Sequence, residues 1–255
     1  MKNIIKLLFA ILFFQLAEAQ NKMEKISALS PIDTTEAFRS ALFSKGKLIL
    51  GVQAGYTHGN LRGGEITYTF ADSQTKPLNS FHGGLTLHAR VGKNFWLKHE
   101  LMINQRGAGV NLTDSINDNY ASKMQMLYLD VYPISPTLYF KGFQLYAAPY
   151  VSALVNANIM RKDLNGNFFR DNTIFGAPGN NESSEKYLQK IDFGICFGAE
   201  YKFLFGAFIG ARYTHGLADI FQYANSYTFQ DVKTDSIKIY NQALMISVGY
   251  YFERK

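Results

Sequence analysis

Apolar residues alternate with small or polar ones along much of the chain, and the alternation is clearest between residues 188 and 213. From Ile191 to Tyr201 every second residue is apolar, and the residues between them are glycine, cysteine or charged. After a short break the pattern resumes from Phe205 to Tyr213. Successive side chains of a strand point to opposite faces, so this stretch predicts two strands joined by a tight turn.

The same period of two recurs elsewhere and predicts eight strands in all. They cover about residues 47–58, 80–91, 95–107, 124–140, 143–159, the pair within 188–213, and 238–252. Long connections at about 59–79, 108–123, 160–187 and 215–237 alternate with very short ones. We therefore predict an all-β fold: a closed eight-stranded antiparallel transmembrane β-barrel with short periplasmic turns, long external loops and both termini in the periplasm.

The composition of the two strand faces separates a membrane barrel from a soluble one. A secreted lipocalin-like barrel also has eight strands, but its polar face meets water and should be rich in Lys and Glu. Here the face opposite the apolar one consists mainly of Gly, Ala, Ser, Thr and Tyr with isolated charges. Small residues suit the crowded interior of a narrow barrel. This composition favours an apolar face directed toward lipid.

The first 19 residues have the pattern of a signal peptide. Lys2 and Lys6 precede an apolar run, and Ala17-Glu18-Ala19 fits a cleavage site before Gln20. The apolar run is short for a membrane-spanning helix, which is the alternative. Residues 20–46 are expected to form a periplasmic N-terminal segment, either a short helix from about residue 33 or a flexible tail. The barrel domain is predicted over residues 47–252.

Charge and cysteine content narrow the range of partners. The net charge is +6, and the basic residues are scattered, which disfavours nucleic-acid binding. Cys196 is the only cysteine, so an intrachain disulfide is excluded. Residues 114–119 are rich in Asp and Asn but lack the order of a calcium loop. We expect no cofactor or metal, and we expect contact with the lipid bilayer and with lipopolysaccharide.

Charged residues on the predicted inward face form the candidate site. An unpaired charge inside a narrow barrel is very costly, so these residues are expected to pair with one another. Such a network disfavours a wide pore and leaves a narrow gated pore or an acid–base site as alternatives. The predicted interior charge network is Arg90, Lys98, Glu100, Asp130, Asp192, Glu200 and Arg212.

Several segments resemble one known family. They are Gly51–Gly55, Lys98–Leu101 with Arg106-Gly107, Leu127–Val131, Ala148–Tyr150, Asp192–Gly194, Gly198–Tyr201, Arg212–Leu217, Asn241 and Gly249–Phe252. Together they resemble the PorT-like outer-membrane β-barrel family of Bacteroidota, a Gram-negative group. The resemblance covers nearly all of the chain after residue 20. Two features depart from it: Asp130–Pro133 replaces the usual Ile-Pro, and three residues follow Phe252.

The resemblance implies a role rather than a reaction. The name-giving member belongs to a protein-secretion apparatus, so envelope or secretion proteins are implied as partners. It also implies that Tyr250 and Phe252 act in a C-terminal signal read by the outer-membrane insertion machinery. We therefore expect a non-enzymatic barrel with a structural, binding or accessory role at the cell envelope.

The alternative function is a lipid A-modifying enzyme of the outer membrane. Ser80 and His82 share one predicted strand face near a rim, and His58 and Glu65 are expected to lie close to them in the fold. These are the residue types of a Ser-His-acid triad. The sequence has no nucleophile elbow or oxyanion motif, which weighs against this alternative.

Overall fold

The computed structural model describes residues 48–64, 66–70, 73–114, 118–162, 165–171, 188–221 and 238–252. The predicted signal peptide and residues 20–46 lie outside these ranges. The strands are β1 (Leu48–Arg62), β2 (Thr75–Arg90), β3 (Phe95–Asp114), β4 (Asp118–Phe140), β5 (Phe143–Lys162), β6 (Phe168–Asp171), β7 (Ile191–Lys202), β8 (Ala207–Gly216) and β9 (Tyr240–Phe252). One helical turn, α1, spans Ile66–Thr69. No helix in the described ranges is long and apolar enough to cross a membrane.

Eight of these strands close into an antiparallel barrel. Neighbours in the ring are β1, β2, β3, β4, β5, β7, β8 and β9, and β9 returns to pair with β1. The closing pair runs from Leu50↔Phe252 to Arg62↔Tyr240. The short strand β6 adds only to the end of β5. The predicted closed eight-stranded fold is therefore confirmed.

The two ends of the barrel differ. Residues 91–94, Lys141-Gly142 and residues 203–206 connect strands at one end, where β1 also begins and β9 also ends; we call it the short-turn end. Gly206 adopts φ +100° there, and an added Cβ would lie 2.9 Å from the Tyr251 carbonyl oxygen. Glycine is the residue that tolerates this conformation. The opposite end, with the remaining connections, is the long-connection end.

The predicted long loop at 108–123 is wrong. β3 continues to Asp114, β4 begins at Asp118, and the two strands stay paired up to those residues. The belt pattern is absent from this stretch because its inward face is apolar, as at Ala108 and Val110, while its outward face is polar, as at Lys123. β1, β2 and β5 also run past their predicted ends. We call this continuation of the sheet the extension; it comprises residues 107–114 of β3, 118–126 of β4 and 156–162 of β5.

An apolar belt surrounds the barrel between the short-turn end and the extension. Its large exposed side chains include Leu50, Val52, Phe81, Leu85, Leu101, Ile103, Leu129, Phe193, Ile195, Phe197, Ile209, Leu244, Ile246 and Val248. Outward residues of the extension are polar instead, for example Lys123, Gln125 and Asn156. The belt and the extension therefore present opposite surfaces to their surroundings.

Candidate functional site

Aromatic side chains fill the barrel interior at the short-turn end. Phe208 and Tyr251 are buried, and their rings stack with centroids 4.4 Å apart. His88 meets Tyr251 edge-on at 4.7 Å, and Trp96 packs against the same cluster. These rings form a floor beneath the charged residues.

Four charged side chains lie above this floor, and we call them the four-charge cluster: Lys98, Glu100, Glu200 and Arg212. All four are buried. Lys98 pairs with Glu200 and lies 3.4 Å from Glu100 Oε1, while Arg212 Nη2 lies 2.7 Å from the same oxygen. Two positive charges therefore meet two negative ones, which offsets the cost of burying each charge.

Neutral side chains hold the four-charge cluster in place. Gln53 Nε2 donates to Glu100 Oε1 at 2.6 Å, and the Tyr251 hydroxyl donates to Glu200 Oε2 at 2.8 Å. Arg212 Nε donates to the Tyr146 hydroxyl at 3.1 Å, and Lys98 Nζ lies 3.9 Å from the centre of the Tyr146 ring. The ring and the hydroxyl of one tyrosine thus contact both cations.

A second charged group lies nearer the long-connection end. Arg106 pairs with Asp130, and its Nη1 donates to Asp192 Oδ2 at 2.9 Å. We call these three residues the Arg106 triad. Asn104 Nδ2 donates to Asp130 Oδ2 at 3.0 Å, and Asn241 Nδ2 donates to Asp192 Oδ2 at 3.1 Å. The triad contains one positive charge and two carboxyl groups.

The structure brings together most of the predicted network, with one correction and one addition. Arg90 does not join it, because β2 ends there and its side chain is exposed, with Nε donating to the Gly92 carbonyl at 3.2 Å. A long side chain at a strand end can reach water. Arg106 was missing from the predicted network, although it has the same parity in β3 as Lys98 and Glu100. The six predicted residues inside are Lys98, Glu100, Asp130, Asp192, Glu200 and Arg212.

The proposed Ser80–His82 pair makes other contacts. The Ser80 hydroxyl donates to the carbonyl oxygens of Thr57 and Gln105, at 3.3 and 2.5 Å. His82 is buried, with Nδ1 3.0 Å from Thr57 Oγ1 and Nε2 2.8 Å from Ser247 Oγ. Its partners are therefore interior hydroxyls.

The other two residues of the suggested triad do not complete it within the described chain. His58 points outward and contacts Asn79 Oδ1 at 2.9 Å. Glu65 lies outside the described residues. The arrangement around His82 is that of a buried polar chain, because Thr57 passes a hydrogen bond on to Asn104 Oδ1 at 3.0 Å.

An apolar cluster, which we call the apolar cap, fills the interior at the long-connection end. Its residues are Leu61, Ile66, Phe70, Ala108, Val110, Met124, Met126, Tyr128, Ala157, Ile159, Leu188, Ile220, Phe221 and Ile239. Backbone bonds tie the crossing segments together, from Gln189 to Ile220 and from Ile220 to Ile239, both at 2.9 Å. The inward face of the extension and the segments lying over it thus pack as in a soluble protein.

The sequence predicts an outward girdle of six aromatic residues near the strand ends: Tyr56, Phe95, Tyr150, Tyr201, Tyr213 and Phe252. Tyr56, Phe95, Tyr213 and Phe252 are exposed and outward, but Tyr150 is buried inside and donates to Asp192. Tyr250 and Phe252 lie on the outer surface with ring centroids 5.4 Å apart. Their role in an insertion signal stays a prediction.

A protein-family model of an outer-membrane barrel matches most of the chain. Residues 19–222 match the family described as outer membrane protein beta-barrel domain. Solved structures similar to this chain include neisserial surface protein A (12% identity, TM-score 0.41, 80% of this chain and 97% of that one). They also include the attachment invasion locus protein Ail of Yersinia pestis (11%, 0.40, 81% and 100%) and OprG of Pseudomonas aeruginosa (11%, 0.33, 82% and 98%). No curated protein sequence matches the chain at a significant level.

Proposed function

Since the chain belongs to the outer membrane protein beta-barrel domain family, we propose that it is a non-enzymatic, non-conducting barrel with a binding or accessory role at the cell envelope. The dimensions of the belt support its place in the membrane. On β3 the belt spans the nine residues Phe95–Ile103. A tilted strand needs about 9–11 residues to cross a bilayer. The belt is therefore the lipid-facing surface.

The observation that carries the proposal is the filled interior. The aromatic floor, the four-charge cluster, the Arg106 triad and the apolar cap follow one another from the short-turn end to the long-connection end. An eight-stranded barrel has an interior only just wide enough for side chains. Because side chains occupy the interior, the barrel is suited to binding partners through its outer surface. It is poorly suited to conducting a solute.

The difference between the two ends supports the proposed orientation of the barrel. Outer-membrane barrels place their short turns in the periplasm and their longer connections outside. The short-turn end, with both ends of the barrel domain, then faces the periplasm after export by the signal peptide. The extension faces outward, toward lipopolysaccharide. The PorT-like resemblance supports envelope proteins, including secretion components, as the partners that this barrel serves.

A crosslinked pull-down of a tagged copy from outer membranes tests the accessory role. We expect other envelope proteins to be recovered in stoichiometric amount. Recovery of the barrel alone would contradict the accessory role and indicate a self-contained surface barrel. The same pull-down can be made with the variant Lys123→Glu. This change reverses a charge on the outer face of the extension and leaves the interior side chains unchanged.

Conductance of the purified barrel in planar bilayers tests the closed interior. We expect no channel steps from the natural protein. A variant in which Lys98, Glu100, Glu200 and Arg212 are all alanine shows whether the assay responds when the four-charge cluster is emptied. Regular steps from the natural protein would overturn the non-conducting part of the proposal.

Lipid A composition tests the non-enzymatic part. Strains with and without the gene are expected to carry identical lipid A acylation. A change that also follows Ser80→Ala or His82→Ala in an otherwise folded barrel would assign the enzymatic alternative instead.

A further inference from the structure

The buried charges of the barrel do not balance. Among the described residues, the buried cations are Lys98, Arg106 and Arg212, whereas the buried carboxyl groups are Glu100, Asp130, Asp192 and Glu200. The four-charge cluster is neutral by itself, with two charges of each sign. The surplus negative charge therefore belongs to the Arg106 triad, where one guanidinium serves two carboxyl groups.

The hydrogen bonds of the triad fall on one oxygen of each carboxyl group. Oδ2 of Asp192 accepts from Arg106, Asn241 and Tyr150, and Oδ2 of Asp130 accepts from Arg106 and Asn104. Oδ1 of each aspartate is buried without a partner among the described residues. A buried carboxylate oxygen with no donor is costly, and two carboxylates sharing one cation repel each other.

The positive charge that would balance the triad does not come from a neighbouring histidine. His82 is the nearest candidate, linked through Thr57 and Asn104 to Asp130. Thr57 gives its only proton to Asn104, so His82 Nδ1 donates to Thr57, and its Nε2 can accept from the Ser247 hydroxyl. Both ring nitrogens of His82 therefore have hydrogen-bond partners when the imidazole is neutral.

We propose that the Arg106 triad binds one proton, held on Oδ1 of either Asp130 or Asp192, and that this proton makes the triad neutral. A proton removes the surplus charge, turns one orphaned oxygen into a hydroxyl, and needs no additional space. The described residues contain no group of three or more His, Cys, Asp or Glu side chains arranged to hold a metal ion. The groups facing the triad are Asn104 on β3, Tyr128 and Tyr132 on β4, Tyr150 and Ser152 on β5, Asn241 on β9, and His82 on β2 through Thr57 and Asn104.

Infrared spectroscopy of the folded barrel tests this proposal directly. A protonated carboxyl group has a C=O stretching band that a carboxylate lacks and that shifts in D2O. We expect this band in the natural protein at neutral pH. We expect it to disappear in Asp192→Asn and in Asp130→Asn, because either change leaves Arg106 with a single carboxylate. Asp219→Asn makes the same chemical change outside the barrel interior and should keep the band.

Thermal melting of the same variants gives a second readout. Asp192→Asn should melt at or above the temperature of the natural barrel, since it replaces a proton-bearing carboxyl by a neutral amide. Glu200→Gln should melt earlier, because it removes the nearer of the two carboxylates that contact Lys98 and leaves the four-charge cluster with a surplus positive charge. Absence of the band from the natural protein overturns the proposal. If the protonated-carboxyl band is absent and melting depends on sodium, the balancing positive charge belongs to a bound cation. If the band is absent and His82 gives an imidazolium signal, the balancing charge belongs to that ring.

Discussion

The belt and the extension are built from the same strands but have opposite interiors. Within the belt, β3 directs Leu101 and Ile103 outward and Lys98 and Glu100 inward. Ten residues further along, the same strand directs Val110 into an apolar cluster, while the outward face of its partner strand carries residues such as Lys123. One continuous sheet thus changes from the pattern of a membrane barrel to that of a soluble one.

The surroundings of each region explain the difference. Lipid stabilises apolar side chains on the outer face of the belt. The barrel interior at the level of the belt can stay polar because its charges pair. Water surrounds the extension, so the apolar side chains of that region turn inward and pack as a core. The belt interior therefore depends on paired charges, and the extension interior depends on close packing. Each dependence can be broken separately.

Removing Arg106 should have the largest effect. Arg106→Ala leaves Asp130 and Asp192 buried without their cation, and breaking a buried pair costs about 3–5 kcal/mol. We expect a strongly lowered temperature for loss of the heat-modifiable form on gels. Arg90→Ala, which changes an exposed arginine at the short-turn end, is the matched control and should change little. Equal melting of the two variants would show that the interior charges do not hold the barrel together.

A cavity in the apolar cap should weaken the extension and spare the belt. Leu188 is fully buried there, and Leu→Ala in a core typically costs about 2–5 kcal/mol. We expect Leu188→Ala to make the extension more sensitive to limited proteolysis, with heat-modifiability largely kept. Leu204→Ala alters a leucine that is fully exposed in the β7–β8 turn and is the control. If Leu188→Ala lost its resistance to proteolysis and its heat-modifiability together, the apolar cap and the belt would unfold as one unit.

The same charge placed on the two outer surfaces should sharpen the comparison. Leu101→Arg puts a cation on the lipid-facing belt, where an arginine costs about 2–4 kcal/mol at the membrane midplane and less toward the edges. Gln125→Arg puts it on the outer face of the extension, where the cost should be close to zero. Folding yield into lipid vesicles measures the difference. Equal yields would contradict the assignment of the belt to the bilayer.

Sequence alone was enough for the barrel and for most of its interior. Alternation places Lys98, Glu100 and Glu200 on the inward face, and the cost of buried charge then requires that they pair. Arg106 could have been found in the same way from its parity with Lys98 and Glu100. Alternation does not show where a strand leaves the barrel, so Arg90 was wrongly placed inside.

The cap could not be predicted from local pattern. Its crossing residues, among them Leu188, Phe221 and Ile239, come from segments far apart in sequence with no shared period. The sequence predicts a loop over residues 108–123 because this part of the extension lacks the belt pattern: its inward residues, such as Val110, are apolar, and its outward residues, such as Lys123, are polar. Recognising it requires knowing that the inward face becomes apolar beyond the belt, which follows from the position of the membrane.

The smallest predicted effect concerns the fit between the barrel wall and the four-charge cluster. A Cβ added at Gly198 would lie 2.3 Å from Cζ and 2.4 Å from the hydroxyl of Tyr146. That hydroxyl accepts from Arg212, so the ring cannot move without disturbing the pairing of the cation with Glu100. We expect Gly198→Ala to cost about 1–3 kcal/mol, the usual range for overpacking. Melting of the heat-modifiable form measures it. Gly83→Ala is the control, because its Cβ would come no nearer than 3.5 Å to another atom. If Gly198→Ala and Gly83→Ala melt at the same temperature, Tyr146 has room to move. The barrel wall then does not fix the position of the four-charge cluster.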